Sequence, residues 1–234
     1  LRQAYAAPVP TVLLVRHAQA SFGTADYDVL SPLGHEQTEV VVEALLGRRM
    51  NVTRIVAGTA RRQIDTAAPL AARLGLEVGT DPRWNEYETE RVLEHHGTVP
   101  VGLDGAGAGG REISSREFQA VLDGALEGWV RSGEETPAPQ SWPAFLAAGT
   151  GALVDLAASL GSGETGIAFT SGGVIGTICT ELLGGHPDLL PRLNRVLVNT
   201  GITKIAVGGS GTSLIAFNDH AHIDAAGGAF LSYR

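Results

Sequence analysis

The sequence predicts an α/β domain of three layers, with a mostly parallel central sheet, helices on both faces and a helical and loop insertion. Three observations carry that expectation. Short apolar runs such as Thr11–Val15 (TVLLV) and Gly166–Thr170 (GIAFT) have the length and continuity of strands buried on both faces. The stretches between such runs show helical spacing and helix end signals. Strand and helix then alternate, which is how a chain builds a parallel sheet with crossover helices. A chain of 234 residues, 44% hydrophobic and 18% charged, suits one sizeable domain rather than a disordered or fibrous polymer.

Taken in order, Thr11–Val15 is the first strand. Ser31 and Pro32 have the chemistry of a helix N-cap and first helical residue. The helix they open runs to about Arg49, with Val40, Val41, Ala44 and Leu45 at core-facing spacing. Arg54–Ala57 (RIVA) is a second buried strand. A helix from about Ala60 to Leu74 follows and stops at Gly75, and Leu76–Val78 is a short third strand. The order breaks over Asp81–Gln140, which contains His95-His96-Gly97, the run GLDGAGAGG (Gly102–Gly110) and the turn TPAPQ (Thr136–Gln140). This region is expected to be an insertion within a single domain spanning 1–234, with about 91–140 shaping a pocket entrance. Ser141–Leu160 is a long helix with Ser141 as cap and Gly161 as stop. Gly166–Thr170 leads into the loop and helix SGGVIGTICTELLG, and Thr203–Val207 pairs with Ser213–Phe217 as a hairpin around GGSG (Gly208–Gly211).

Composition narrows the partners. The net charge of −8 argues against general nucleic-acid binding. No apolar run approaches the ~20 residues of a membrane helix, and Leu1–Pro10 lacks the basic and apolar regions of a signal peptide. A single cysteine, Cys179, excludes an internal disulfide and a thiolate metal cluster, and suits a reducing cytoplasm. Of the 17 basic side chains 16 are arginines and the other is Lys204, so an anion site here must be built from Arg, His or backbone amides.

Those groups gather at strand ends. Arg16-His17 follows the first strand directly, at the edge where open α/β sheets bind ligands. Arg62 lies just past RIVA, and Ser171-Gly172-Gly173 just past GIAFT. Arginine forks match phosphate oxygens in geometry and charge, and a helix N-terminus adds amides that favour an anion. Glu86, beyond the third strand, supplies an acid. Together these residues point to a phosphate site.

At these residues a family resemblance becomes visible. VRHAQASFG (Val15–Gly23) followed by LSPLGHEQ (Leu30–Gln37) resembles the opening of the histidine phosphatase superfamily, the phosphoglycerate-mutase-like fold. GTARRQIDTAAPLA (Gly58–Ala71) resembles its second motif, in which an Arg stands four residues before Thr-Ala; that rule selects Arg62 over Arg61. RWNEYETE (Arg83–Glu90) resembles the segment carrying the family's acid, at Glu86. SWPAFLAAG, FTSGGVIGTI and the tail from Asn199 to Ile223 resemble later blocks, whereas about Arg91–Gln140 matches poorly. The resemblance implies catalytic roles for His17, Glu86, Arg16 and Arg62, with His17 as a nucleophile that becomes a phosphohistidine. It implies phosphate binding by Arg16, Arg62, Ser171 and Gly172, no metal or organic cofactor, and a small phosphorylated substrate. The expected activity is metal-independent phosphomonoester hydrolysis.

The sequence also departs from that pattern. Ser171 stands where the family has a second histidine, Ala18 replaces a glycine, and Gly23 falls where mutase-type members have Asn. A serine can give one hydrogen bond but cannot carry an imidazolium charge. A weakened phosphatase and a phospho-ligand-binding protein therefore stay open beside the leading reading, with a phosphomutase behind them. Other signals carry less. GSGETG (Gly161–Gly166) precedes a strand, where a dinucleotide fingerprint should follow one. His95-His96 and His220-x-His222 lack further ligands at metal-site spacing. The flanking glycines of a hydrolase nucleophile elbow are absent around Ser162 and Ser171.

Overall fold

Buried apolar runs laid side by side give this protein its centre. The computed structural model describes residues 9–21, 28–98, 114–186, 188–209 and 211–233. The strands are β1 (Thr11–Arg16), β2 (Val52–Ala57), β3 (Val78–Thr80), β4 (Thr165–Thr170), β5 (Ile202–Gly208) and β6 (Gly211–Asp219). They form one sheet in the order β3-β2-β4-β1-β5-β6. The pairs β3–β2, β2–β4 and β4–β1 are parallel; β1–β5 and β5–β6 are antiparallel. The expected three-layer, mostly parallel α/β fold is the one observed.

The alternation of β1 and β4 side chains divides the core in two. Leu13, Val15, Ile167 and Phe169 face α1 (Pro32–Gly47) and α2 (Arg61–Leu74). Val12, Leu14 and Ala168 face the other layer, built from α3 (Thr89–His96), α4 (Ser115–Ser132), α5 (Trp142–Ala158), α6 (Gly172–Leu182) and α7 (Leu189–Asn194). A last helix, α8 (Ala221–Ala226), packs against α1. Among the described residues no helix is long and apolar enough to cross a membrane.

Helix ends follow their local chemistry. Ser31 Oγ accepts from the Gly34 amide at 3.0 Å and caps α1. Gly75 closes α2 at φ 66°, a left-handed backbone that suits glycine. Several elements differ from the sequence expectation. The third strand is Val78–Thr80, two residues later than Leu76–Val78, because Ile55, Val56 and Ala57 pair there. The long helix ends at Ala158 with Ser159 as its C-cap, so Gly161 is not its stop. The helices α7 and α8, six residues each, had no place in the sequence reading. The glycine run Gly102–Gly110, Gly23 and Ser210 lie outside the described residues.

Candidate active site

The three central parallel strands end on one edge of the sheet, and the register aligns their last residues. Arg16 pairs with Thr170 and Ala57 with Phe169. The chain then delivers His17 from β1, Gly58 from β2 and Ser171 from β4 to neighbouring places. His17 is 5% exposed, and its backbone is tied from several directions. Its amide donates to Thr170 O at 2.8 Å, and its carbonyl accepts from Asn199 Nδ2 at 3.0 Å. The Ala18 amide donates to Thr66 Oγ1 at 3.1 Å, and Thr66 Oγ1 donates back to Arg62 O at 2.6 Å. That second bond is the i to i+4 spacing of one helical turn. It gives the Arg-x-x-x-Thr spacing a physical meaning: Thr66 locks the first turn of α2 onto the histidine loop.

The α1 motif works in the same direction. Gln37 Oε1 accepts from the Gln19 amide at 2.9 Å, while Ser31 donates its hydroxyl to Gln19 Oε1 at 2.7 Å. Gly34 packs so close to Gln19 that a Cβ would overlap the Gln19 carbonyl oxygen. Gln37 Nε2 reaches Phe230 O and Ser232 Oγ, both at 2.8 Å, and Ser232 donates to Asn199 Oδ1 at 3.0 Å. Residues far apart in sequence thus brace one loop.

The imidazole itself is oriented. His17 Nδ1 lies 2.8 Å from Ala18 O, a carbonyl that can only accept, so Nδ1 carries the proton. The lone pair is then on Nε2, and Arg62 Nε–H donates to it at 3.2 Å. Burial, and after it the Arg62 and Arg16 charges, push the imidazole well below its ordinary value. The ring is therefore neutral at pH 7. Arg16 is anchored by donating to Leu197 O. Arg62 is anchored by Asp28, with NH1 to Oδ1 at 2.6 Å.

Across a cavity of about 790 Å3 stands Glu86. Its Oε2 accepts from the Gly173 amide at 3.1 Å. Burial pushes its carboxyl above the usual range, against the lowering effects of that amide, Arg62 and Arg16. Gly173 is the residue that admits it: a Cβ there would overlap Glu86 Oε1 and the Tyr87 ring. The Gly-Gly pair therefore serves close approach, and the Gly173 amide at the start of α6 is held by Glu86.

Arg16, His17, Arg62 and Glu86 all line the cavity. Ser171 and Gly172 do not. Ser171 is fully buried and accepts from Gln63 Nε2 at 2.8 Å; the same Gln63 nitrogen donates to Trp84 O at 3.0 Å. Gly172 lies against Arg16 and Asn194, where a Cβ would come 3.6 Å from Arg16 Nε. Sequence reasoning missed Asp28, Gln63 and Asn199 as parts of this site. A signal existed for Asp28: the α2 N-cap is Ala60, which has no side-chain acceptor, so the first amides needed one from elsewhere. His95 and His96 lie away from the cavity wall, and His96 Nε2 meets Thr136 Oγ1 at 2.8 Å. Among the described residues no group of three or more His, Cys, Asp or Glu could hold a metal ion.

Fold and site together define a three-layer α/β protein with an oriented, neutral histidine between two arginines at the strand ends and a carboxyl facing them. Residues 12–97, which contain His17, Arg16, Arg62 and Glu86, match the family described as Histidine phosphatase superfamily (branch 1). Solved structures share the fold at low identity. A variant of Entamoeba histolytica phosphoserine phosphatase in complex with phosphoserine is 19% identical, with a TM-score of 0.65 over 92% of this chain and 99% of that one. Mycobacterial glucosyl-3-phosphoglycerate phosphatase is 23% identical, with a TM-score of 0.60 over 89% and 98%. Bacillus stearothermophilus YhfR is 17% identical, with a TM-score of 0.62 over 91% and 98%. No curated protein matches the chain by sequence.

Proposed function

We propose that this protein is a metal-independent phosphomonoester hydrolase that works through a phosphohistidine at His17. The observation that carries the reading is the state of that ring: Nδ1–H is spent on Ala18 O, leaving the Nε2 lone pair to Arg62 in a ring that lines the cavity and feels the Arg62 and Arg16 charges. A phosphomonoester entering the cavity draws the Arg62 Nε–H onto a phosphoryl oxygen and uncovers Nε2. The lone pair attacks phosphorus as the bond to the ester oxygen breaks, and Glu86 gives its proton to that leaving oxygen. Arg16 and Arg62 neutralise charge on the transferring group, where electrostatics and positioning supply most of the rate. The ionised Glu86 then takes a proton from water, whose oxygen attacks the phosphohistidine, returning phosphate, neutral His17 and protonated Glu86. Splitting one displacement into two is the general gain of covalent catalysis.

Support for a small phosphorylated substrate comes from the neighbours in fold, which include phosphatases of phosphoserine and glucosyl-3-phosphoglycerate. The single domain of residues 1–234 carries an insertion at about 91–140 that shapes the entrance. Phe118, Gln119 and Leu122 of α4 line the cavity, consistent with that role. We assign the activity to a reducing cytoplasm, which suits a lone, buried Cys179.

One observation favours a second reading, a phospho-ligand-binding protein. Ser171 is turned onto Gln63 and adds no charge to the cavity. Turnover of a chromogenic phosphomonoester with and without chelator separates the two. Label from a radioactive phosphomonoester should survive a base quench and be lost in acid, as a phosphoramidate is. His17→Ala should abolish both label and turnover. Undiminished turnover in that variant would refute the covalent route.

A further inference from the structure

We propose that Asp28 is the positioning residue for Arg62: its carboxylate fixes the plane of the guanidinium and offsets its charge, so that the edge carrying Nε–H is aimed at His17 Nε2 and at any phosphoryl group that replaces it there. The inference rests on the phosphatase reading of the site.

Asp28 reaches α2 from the connection between β1 and α1, 34 positions earlier in the chain than Arg62. Its Oδ2 accepts from the Arg61 amide at 2.8 Å, and its Oδ1 lies 3.5 Å from the Arg62 amide. The carboxylate thus caps the α2 N-terminus that Ala60 leaves uncapped. The same Oδ1 accepts from Arg62 NH1 at 2.6 Å, with the Arg62 side chain 12% exposed and that of Asp28 41%.

A guanidinium is planar, and its Nε–H shares an edge with one terminal amino group. Holding NH1 on Asp28 while Nε–H meets His17 at 3.2 Å fixes both the position and the rotation of that plane. The edge turned to His17 is then the fork that matches two phosphoryl oxygens. Without Asp28 the Arg62 side chain keeps its charge and loses its aim. The charges acting on His17 are those of Arg62 from α2 and Arg16 from β1, Glu86 from the segment after β3 lines the same cavity, and Asp28 reaches the ring through Arg62.

The test uses Asp28→Asn, whose amide oxygen still accepts from the α2 amides, beside Asp28→Ala, which removes the cap as well. Two readouts are taken on the whole protein: steady-state turnover of a chromogenic phosphomonoester, and 15N resonances of the His17 ring without substrate across a pH titration. If Asp28 aims Arg62, Asp28→Asn keeps its melting temperature and its KM within about threefold. Its kcat should fall ~10-fold to 100-fold, the scale of a reacting group misplaced by about 1 Å. The Nε2 resonance should shift, and His17 should titrate at lower pH because the Arg62 charge is less compensated. An Asn variant with unchanged kcat and an unchanged Nε2 resonance would overturn the proposal and leave Asp28 as a helix cap. Wild-type protein without turnover, combined with a shifted Nε2 resonance in Asp28→Asn, would refute the phosphatase reading and sustain the aim of Arg62. Absence of both turnover and shift would refute both.

Discussion

At the scale of single residues, the site shifts two protonation states away from their ordinary values, in opposite directions. Unperturbed, a glutamate loses its proton near 4.5, before an imidazole does so near 6.5. A neutral nucleophile and a protonated acid would then hardly coexist. Burial lowers His17 and raises Glu86, so each shift moves its group towards the form the reaction requires. The kcat/KM profile should be bell-shaped, with deprotonation of His17 on the acid limb and loss of the Glu86 proton on the alkaline limb. Glu86→Gln should remove the alkaline limb and lower kcat/KM by ~10²–10⁴, the usual contribution of a general acid. A retained alkaline limb would assign the proton elsewhere. Arg62→Ala should weaken inorganic phosphate binding by about 1.5–3 kcal/mol, the range for a charged hydrogen bond. Arg61→Ala should change it little, since Arg61 is largely exposed and pairs with Asp65 at 3.4 Å. Calorimetric titration checks the pair, and equal losses would refute this assignment.

At the scale of elements, the difference between what the sequence reveals and what it hides is geometric. His17, Arg62 and the Ser171 loop are legible because placing a residue at a strand's end needs only the strand, and parallel order brings the ends together. Helix α1 is legible from Ser31-Pro32, and α2 from Gly75. What escapes is anything set by the path of a connection. Asp28 meets α2 only through the loop that carries it there, and Ser171, expected at the cavity, is drawn down onto Gln63 inside the protein. The six-residue α7 and α8 are too short for a helical period to show. Gly173 was read for its amide, yet its missing side chain matters as much. Gly173→Ala should displace Glu86 and Tyr87, the latter packed on Trp129 at 5.3 Å and Phe145 at 5.9 Å between centroids. The overpacking should cost about 1–3 kcal/mol, and kcat/KM should fall with the displaced acid. Gly124→Ala, in the middle of α4 with open space at its Cβ, should instead stabilise by about 0.5–1 kcal/mol. Thermal unfolding and turnover of both variants make the check, and a harmless Gly173→Ala would refute the close approach.

At the scale of the whole molecule, the site is a place where folding works against function, and pH exposes the cost with opposite signs. His17 binds its proton less readily in the folded protein than in the unfolded chain. Between its lowered native value and 6.5 the unfolded chain holds more protons, so stability rises with pH through that window. The penalty is complete below the native value and absent above 6.5. Glu86 is the reverse. Between 4.5 and its raised native value the folded protein holds more protons, so stability falls as pH rises through that window. Replacing either group by Gln removes its titration. The melting-temperature gain of His17→Gln over wild type should therefore grow as pH drops below 6.5, and that of Glu86→Gln should grow as pH rises above 4.5. Single stabilising substitutions commonly give about 0.5–2 kcal/mol, and ~1 kcal/mol moves the midpoint by about 2–4 °C at this chain length. Scanning calorimetry of wild type and both variants across pH measures the two slopes. Slopes of the same sign, or none, would mean that burial does not set these two protonation states.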